Sequence, residues 1–216
     1  MNFHSKSPND FVEAVLTIFD RDEAGQLLSE AFFDNPAHVC IYSDASNRRT
    51  RLAWLMKANL GIQFVLGRSF AARDQNGRIA GMGFWHPPGS PEASPALLVR
   101  HGLLALPFRH GLETFRRTLK AINVIETRRR VCLNGRPSWY LNNMVVRPDC
   151  QGQGLGSRIL RRELSDVVDT SPFPASLATQ KPENVVFYEK LGFQVKDDQY
   201  VFMGDKKFQN WIMIRE

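Results

Sequence analysis

Three alternating glycines, Gly152, Gly154 and Gly156, stand in the run Gln151-Gly152-Gln153-Gly154-Leu155-Gly156-Ser157. An apolar run ending at Val146 precedes them, and an apolar stripe at Leu160, Leu164, Val167 and Val168 follows. Residues of this kind bind anions. Glycine has no Cβ, so the backbone turns with positive φ and brings its N–H groups close to a ligand. The first turn of a helix leaves further N–H groups unpaired, and the helix dipole favours negative charge there. The pattern therefore predicts a cradle for a phosphate or pyrophosphate. Spacing excludes two nucleotide loops. A dinucleotide fingerprint needs Gly-x-Gly-x-x-Gly, whereas Gly156 comes only two residues after Gly154; a P-loop needs Gly-Lys-Ser/Thr, and no Lys stands near.

Such a loop needs a strand before it and a helix after it. Trp139–Val146 reads as the strand, Arg147-Pro148-Asp149-Cys150 as a turn, and the three-and-four spacing from Leu160 to Val168 as one face of the helix. A second block repeats the order. Residues 174–179 read as a short strand, Gln180-Lys181-Pro182-Glu183 as a connection, and residues 184–193 as a short helix. Asn184 suits its N-cap and Gly192 its C′ position.

The order Val-x-Pro, Gln-Gly-x-Gly-x-Gly, and then Asn184-Val185-Val186-Phe187-Tyr188-Glu189-Lys190-Leu191-Gly192-Phe193 resembles the cofactor motifs of the GNAT acyltransferase superfamily. The resemblance implies an α/β fold with a mixed sheet of about six to seven strands. The sheet would splay between two parallel strands and carry helices on its faces. It implies that residues 151–157 hold the pyrophosphate of coenzyme A: Gln151, Gly152, Gln153, Gly154, Leu155, Gly156 and Ser157. It places the main chain of Met144, Val145 and Val146 against the pantetheine amide and thioester carbonyl, where a preorganised N–H is worth about 3 kcal/mol. Asn184 and Phe187 would lie along the cofactor, and Tyr188 would protonate the departing thiolate. A phenol with an ordinary pKa of about 10 is protonated at neutral pH and able to do so. The implied activity is acetyl-CoA-dependent transfer of an acetyl group to a primary amine of a small molecule or peptide, with no metal. The alternatives are a non-catalytic coenzyme A binder and an acetyltransferase acting on an RNA-linked amine.

Glu30-Ala31-Phe32 with Pro36, Trp85 with Pro87, a long helical insert, Trp139-Tyr140-Leu141 and the terminal Trp211-Ile212-Met213-Ile214-Arg215 resemble the puromycin N-acetyltransferase branch. Members of that branch often carry a Glu where this chain has Ala178, followed by Thr179. A shared acceptor does not follow. His86 and Glu30 are conceivable bases, a water relay is another route, and no base is nominated.

Composition bounds the remaining readings. The 216 residues suffice for one domain with a substantial core, at 43% apolar and 23% charged residues. No window reaches the roughly 18 apolar residues of a membrane span, and Met1–Asp10 lacks the apolar core of a signal peptide. Cys40, Cys132 and Cys150 are odd in number and not spaced as metal ligands, which suggests a reducing compartment, the cytoplasm. The net charge of +6 is spread along the chain, densest at Arg128-Arg129-Arg130, without an RNA-binding motif. A basic chain also suits a polyanionic cofactor, so polynucleotide binding is not favoured. The expected state is a monomer or homodimer with a small-molecule or peptide amine as partner.

The flanking elements follow in order. Phe11–Phe19 reads as a strand; Asp20 and Glu23 resemble a capping box before a helix presenting Leu27, Leu28, Ala31 and Phe32. Residues 46–60 read as a second helix. Residues 64–73 and 78–85 form a hairpin through Asn76-Gly77, with Gly81 and Gly83 marking either a close backbone approach or a bulge. Residues 96–106 read as helical. After Pro107, Phe108, Leu112, Phe115, Leu119 and Ile122 trace an amphipathic helix whose opposite face, with Arg109, Glu113, Arg116, Arg117 and Lys120, is expected in solvent. Residues 193–199 and 208–214 read as closing strands. One domain over 1–216, with a helical insert at about 91–131, is the expected organisation.

Overall fold

The computed structural model describes residues 11–216; the expectation for Met1–Asp10 lies outside them. The chain begins with β1 (Val12–Ala14), a single 3₁₀ turn (Ile18–Asp20), and helices α1 (Arg21–Ala31), α2 (Pro36–Ile41) and α3 (Ala45–Leu66). A hairpin of β2 (Arg68–Arg73) and β3 (Ile79–His86) follows, then the helical segment α4 (Pro95–Arg100), α5 (Leu106–His110) and α6 (Leu112–Cys132). The strand β4 (Trp139–Val146) leads through the glycine loop into α7 (Leu155–Glu163), which continues as a π-helical turn over Leu164–Val168. Next come β5 (Ala175–Thr179), α8 (Pro182–Glu189), β6 (Gln194–Asp197), a hairpin of β7 (Tyr200–Met203) and β8 (Lys206–Gln209), and β9 (Trp211–Arg215).

Among the described residues, seven strands form one mixed sheet in the order β1-β2-β3-β4-β5-β9-β6, and β7–β8 form a separate two-stranded sheet. Within that sheet, among the described residues, only the β4–β5 pair is parallel. Each face buries its own core, as a sheet covered on both sides requires. On one face Leu28, Leu52, Met56 and Leu60 from α1 and α3 meet Met82, Phe84 and Val145. On the other, Leu155, Ile159, Leu160 and Leu164 meet Trp85, Leu141, Leu177 and Met213. Of the stripe read from the sequence, Leu160, Leu164 and Val168 are buried, and Val167 is half-buried.

Several local expectations are corrected. The first strand is three residues long, because Leu16 already turns inward with its N–H on Ser69 Oγ at 3.0 Å. The Asp20–Glu23 capping box does not form. Asp20 Oδ2 accepts from Thr17 N–H at 2.8 Å, one turn earlier, while Glu23 Oε1 accepts from Ile79 N–H at 2.7 Å on β3. Helix α3 runs on to Leu66, so residues 64–67 are not strand. The segment 96–106 is broken at Gly102, which has φ +78. The strand expected over 193–199 ends at Asp197, and the one expected over 208–214 is interrupted at buried Asn210, between β8 and β9.

The largest correction concerns α5 and α6. The helix expected to run on from Phe108 is interrupted at Gly111, with φ +88, so Phe108 belongs to α5; Phe108, Leu112, Leu119 and Ile122 are all exposed, at 90%, 55%, 50% and 60%. Thr114 and Ala121 face inward instead, and Arg117, expected in solvent, is half-buried with Nη1 on the Cys40 carbonyl. The helix lies against β5, β6, β7 and β9, and Val124 and Ile125 pack on the core beside Ala121.

Candidate active site

The parallel register of β4 and β5 stops early. Trp139, Tyr140 and Leu141 pair with Ala175, Ser176 and Leu177, and no pairing continues to Asn142–Val146 or to Ala178–Thr179. The two strands therefore diverge at mid-length. A bulge adds to this. Met82 pairs with Val145 and Phe84 with Asn142, so Asn143 and Met144 together oppose Gly83. Asn143 takes φ +57, a left-handed conformation that Asn tolerates better than most residues. Gly83 is also where Phe70 lies over the backbone: a Cβ there would come within 2.4 Å of the ring. Close approach and bulge, the two readings of this glycine, are both realised.

Beyond the divergence lies the loop. Gly152 and Gly154 adopt φ +73 and +74, with open space where a Cβ would be. Their requirement is conformational. Gly156 differs: a Cβ would sit 3.1 Å from Val146 Cγ2 and 3.6 Å from Phe187, so its smallness lets α7 approach β4. The N–H groups of Gly152, Gln153 and Gly154 make no hydrogen bond to a described residue, and those of Leu155, Gly156 and Ser157 belong to the unpaired first turn of α7. Side chains brace the loop. Gln151 Nε2 donates to the Val146 carbonyl at 2.9 Å and Gln153 Nε2 to the Asp149 carbonyl at 3.2 Å.

Arg147, which the sequence reading passed over, fixes the start of the loop. Its main-chain N–H donates to Ala80 O at 2.8 Å, Nη1 to Ile79 O at 3.0 Å, Nη2 to Asp74 Oδ2 at 2.7 Å and Nε to Asp149 Oδ1 at 2.6 Å. The Asp149 and Asp74 carboxylates hold the guanidinium above its ordinary pKa. No spacing rule joins Asp74 to Arg147, so only the fold reveals the pair.

The loop, the free edge of β4 and α8 bound one cleft of about 520 Å³. Met144, Val145, Val146, Gln151, Gly152, Gly154, Leu155, Gly156, Ser157, Asn184, Phe187 and Tyr188 all line it. Of the expected site residues only Gln153 does not; its amide is turned back onto the turn. The structure adds Ala31 and Phe32 from the end of α1, Asn35 from the cap of α2, and Lys181 and Glu183 from α8 and its cap. Asn184 is not the N-cap. The helix starts at Pro182, capped by Lys181, and Asn184 Nδ2 donates to Thr179 Oγ1 at 3.0 Å, tying α8 to the free end of β5. Gly192, with φ +87, stands two residues after the C-cap Lys190, one later than expected.

Tyr188 packs edge-on against Phe187 and Phe193, ring centroids 5.0 and 5.8 Å away. Burial, with Tyr140 nearby, pushes its phenol pKa up, so the hydroxyl keeps its proton at neutral pH. On the α3 and α6 side of β4 lies a polar cluster. His86 Nε2 is 2.6 Å from Gln63 Oε1 and 3.5 Å from Asn142 Nδ2. Burial, reinforced by the Arg129 guanidinium, holds the imidazole below its ordinary pKa, and it is neutral at pH 7. Burial alone would raise the Glu126 carboxyl, but hydrogen bonds from Arg129 and Arg130 outweigh it and keep it ionised. Glu30, the other conceivable base, is exposed and accepts from Gln26 Nε2 at 3.3 Å. Among the described residues no group of His, Cys, Asp and Glu is arranged to hold a metal, and no helix is long and apolar enough to cross a membrane.

A mixed sheet opened beside the parallel β4–β5 pair, with a glycine loop and helix at the opening, is the fold of GNAT acetyltransferases. Residues 120–195 match the family model of the acetyltransferase (GNAT) domain, so this stretch carries an acyltransferase-type domain. Among solved structures, the chain is similar to a histone acetyltransferase HPA2-related acetyltransferase from Corynebacterium glutamicum, with TM-score 0.64 and 20% identity, covering 95% of this chain and 96% of that one. It is similar to arylalkylamine N-acetyltransferase 2 from Aedes aegypti, with TM-score 0.63 and 14% identity over 96% and 99% of the two chains. An agmatine N-acetyltransferase matches with TM-score 0.58 and 12% identity over 95% and 100%.

Proposed function

We propose that this protein is an acetyl-CoA-dependent N-acetyltransferase that acylates a primary amine of a small molecule or peptide. One observation carries the reading: the divergence of β4 from β5 opens onto the same cleft as the unpaired loop N–H groups and Tyr188. The residues fit the cofactor. The loop N–H groups and the α7 dipole suit a diphosphate, Lys181 adds positive charge to the lining, and the unpaired edge of Asn142–Val146 offers main-chain donors and acceptors to an amide-bearing arm. When bound, acetyl-CoA supplies the activated acyl group as a thioester.

The chain's own part is to hold and to move protons. Main-chain donors fixed by the bulge at Asn143 stand ready for charge that develops on an oxygen, without reorganisation. Tyr188, which lines the cleft and keeps its phenol proton, acts as the general acid toward a sulfur leaving group. The layout resembling the puromycin N-acetyltransferase branch is retained in this reading for the helical segment α4–α6, while Ala178 argues for a different acceptor. A single domain, a cytoplasmic setting and the site assignments of residues 144–146, 151–157, 184, 187 and 188 belong to the same proposal.

Titration calorimetry with coenzyme A, followed by thiol release from acetyl-CoA with a panel of amines, tests the reading. Binding and amine-dependent thiol release are expected. Folded protein that does neither overturns it, and binding without release with every amine leaves a coenzyme A binder.

A further inference from the structure

We propose that His86 accepts the proton of the acceptor amine, held for that task by Gln63 and flanked by Asn142 and Tyr140. This rests on the acetyl-transfer reading and gives it the base that the sequence does not provide.

Geometry makes the selection. His86 ends β3 directly opposite Tyr140 on β4, and Asn142, two residues further along β4, is on the same face. That face carries α3, with Gln63, and α6, with Glu126 and Arg129, whose guanidinium carbon lies 4.5 Å from the Tyr140 ring centroid. The Tyr140 and His86 rings are 6.3 Å apart. The short contact of Nε2 to the Gln63 carbonyl oxygen, at 2.6 Å, puts the hydrogen on Nε2 and the lone pair on Nδ1. Nδ1 has no hydrogen-bond partner among the described residues and is not walled off from solvent.

The competing groups on this side are committed. The Glu126 oxygens accept from Arg129 Nη2 at 2.7 Å, Arg129 Nε at 2.9 Å and Arg130 Nε at 3.0 Å, which leaves a poor base. Tyr140 and Tyr188 hold their protons more tightly than ordinary phenols because they are buried. The charged groups that bear on His86 are Arg129 and Glu126 of α6, and they act in opposite senses. Gln63 and Asn142 are neutral. The imidazole thus remains uncharged and able to take a proton.

The step balances. The amine nitrogen uses its lone pair to form the C–N bond, and the C–S bond breaks with its electron pair passing to sulfur. The proton shed by nitrogen goes to His86 Nδ1, and the proton gained by sulfur comes from Tyr188 Oη. Exchange with water then restores both side chains.

The test uses the full chain with 2-phenylethylamine, spermidine and agmatine as probe amines. Wild-type turnover and coenzyme A binding are measured first, because their absence overturns acetyl transfer itself and this assignment with it. With turnover in hand, His86→Gln is expected to lower kcat at least about 100-fold, the scale of general base catalysis, with coenzyme A affinity and thermal midpoint nearly unchanged. The acid limb of the wild-type kcat profile should disappear in this variant. His86→Gly should regain activity with added imidazole, which a purely structural histidine would not. A His86→Gln enzyme within threefold of wild type, or one that keeps the acid limb, overturns the assignment. Unfolding of His86→Gln together with no imidazole rescue of a folded His86→Gly does so equally.

Discussion

Arg147 Nη2 donates to Asp74 Oδ2 at 2.7 Å across 73 residues of sequence, joining the turn before the glycine loop to the tip of the β2–β3 hairpin. Both side chains are largely buried, at 11% and 12% exposure, so the pair is not a surface ornament. Asp74 also accepts from Asn76 and Arg78 N–H groups, each at 3.0 Å, and so builds the hairpin turn itself. Asp74→Ala is expected to cost about 1–3 kcal/mol of stability, the range for a lost charged hydrogen bond. Because Arg147 then loses its distant anchor, coenzyme A affinity should fall as well, while kcat at saturating cofactor changes little. Urea unfolding and calorimetry measure the two effects separately.

The loop glycines should respond to substitution in two distinct ways. Gly154→Ala forces an L residue into φ +74 with no crowding, a cost of about 1–2 kcal/mol. Gly156→Val meets no such strain, but its branches press on Val146 Cγ2, which already stands 3.1 Å from a Cβ, and push α7 from β4. Gly156→Val is therefore expected to lose more cofactor affinity, at least about 10-fold or 1.4 kcal/mol. Equal effects of the two changes on affinity would contradict this division.

Tyr188→Phe removes the hydroxyl and keeps the ring that packs on Phe187 and Phe193. Turnover should drop about 100-fold or more, as for a lost general acid, with coenzyme A affinity within about twofold of wild type. Steady-state kinetics beside a calorimetric titration gives the answer. A Tyr188→Phe enzyme with full turnover would reduce the tyrosine to packing.

Acid sensitivity should come from two inward-facing histidines. Burial, aided by Arg48, lowers the His38 pKa to about 4. Burial, aided by Arg51 and Arg109, lowers that of His110 to about 4, and His110 Nδ1 lies 3.1 Å from the Tyr42 hydroxyl. The folded state binds these protons less readily than the unfolded chain does. Their contribution is therefore complete above the unfolded pKa of about 6.5 and is lost as pH falls toward 4. Thermal midpoints measured from pH 7 to pH 4 should decline through that window, and His110→Asn should flatten part of the decline.

How far the sequence reaches is seen in single residues. Trp139–Val146 was legible to the residue, because apolar residues on either side of an Asn pair end at a Pro-initiated turn. The loop was legible because only glycine chemistry explains Gly152 and Gly154. Helix α6 was legible as a helix and not in its orientation. Leu112, Leu119 and Ile122 have the right period, yet its inner side is set by what β5, β6 and β9 leave room for, a tertiary matter. The bulge at Asn143 left only the hint of an Asn pair within a strand, and the His86–Gln63 contact left none, since the two stand 23 positions apart with a turn of the chain between them.

Three carboxamides run in series across the site. Asn35 Oδ1 receives the Ala37 N–H that starts α2, Asn35 Nδ2 reaches Gln180 Oε1 at 3.0 Å, and Gln180 Nε2 reaches Asn210 Oδ1 at 2.8 Å. Asn35 is one of the cleft's own walls, and Gln180 is the link between β5 and α8, which supplies the facing wall. The gap between the walls is thereby a fixed gauge, spanned by uncharged rungs whose grip does not depend on salt or pH. Shortening one rung, as Gln180→Asn would, leaves the loop and Tyr188 untouched in composition and yet detunes the width in which they must meet.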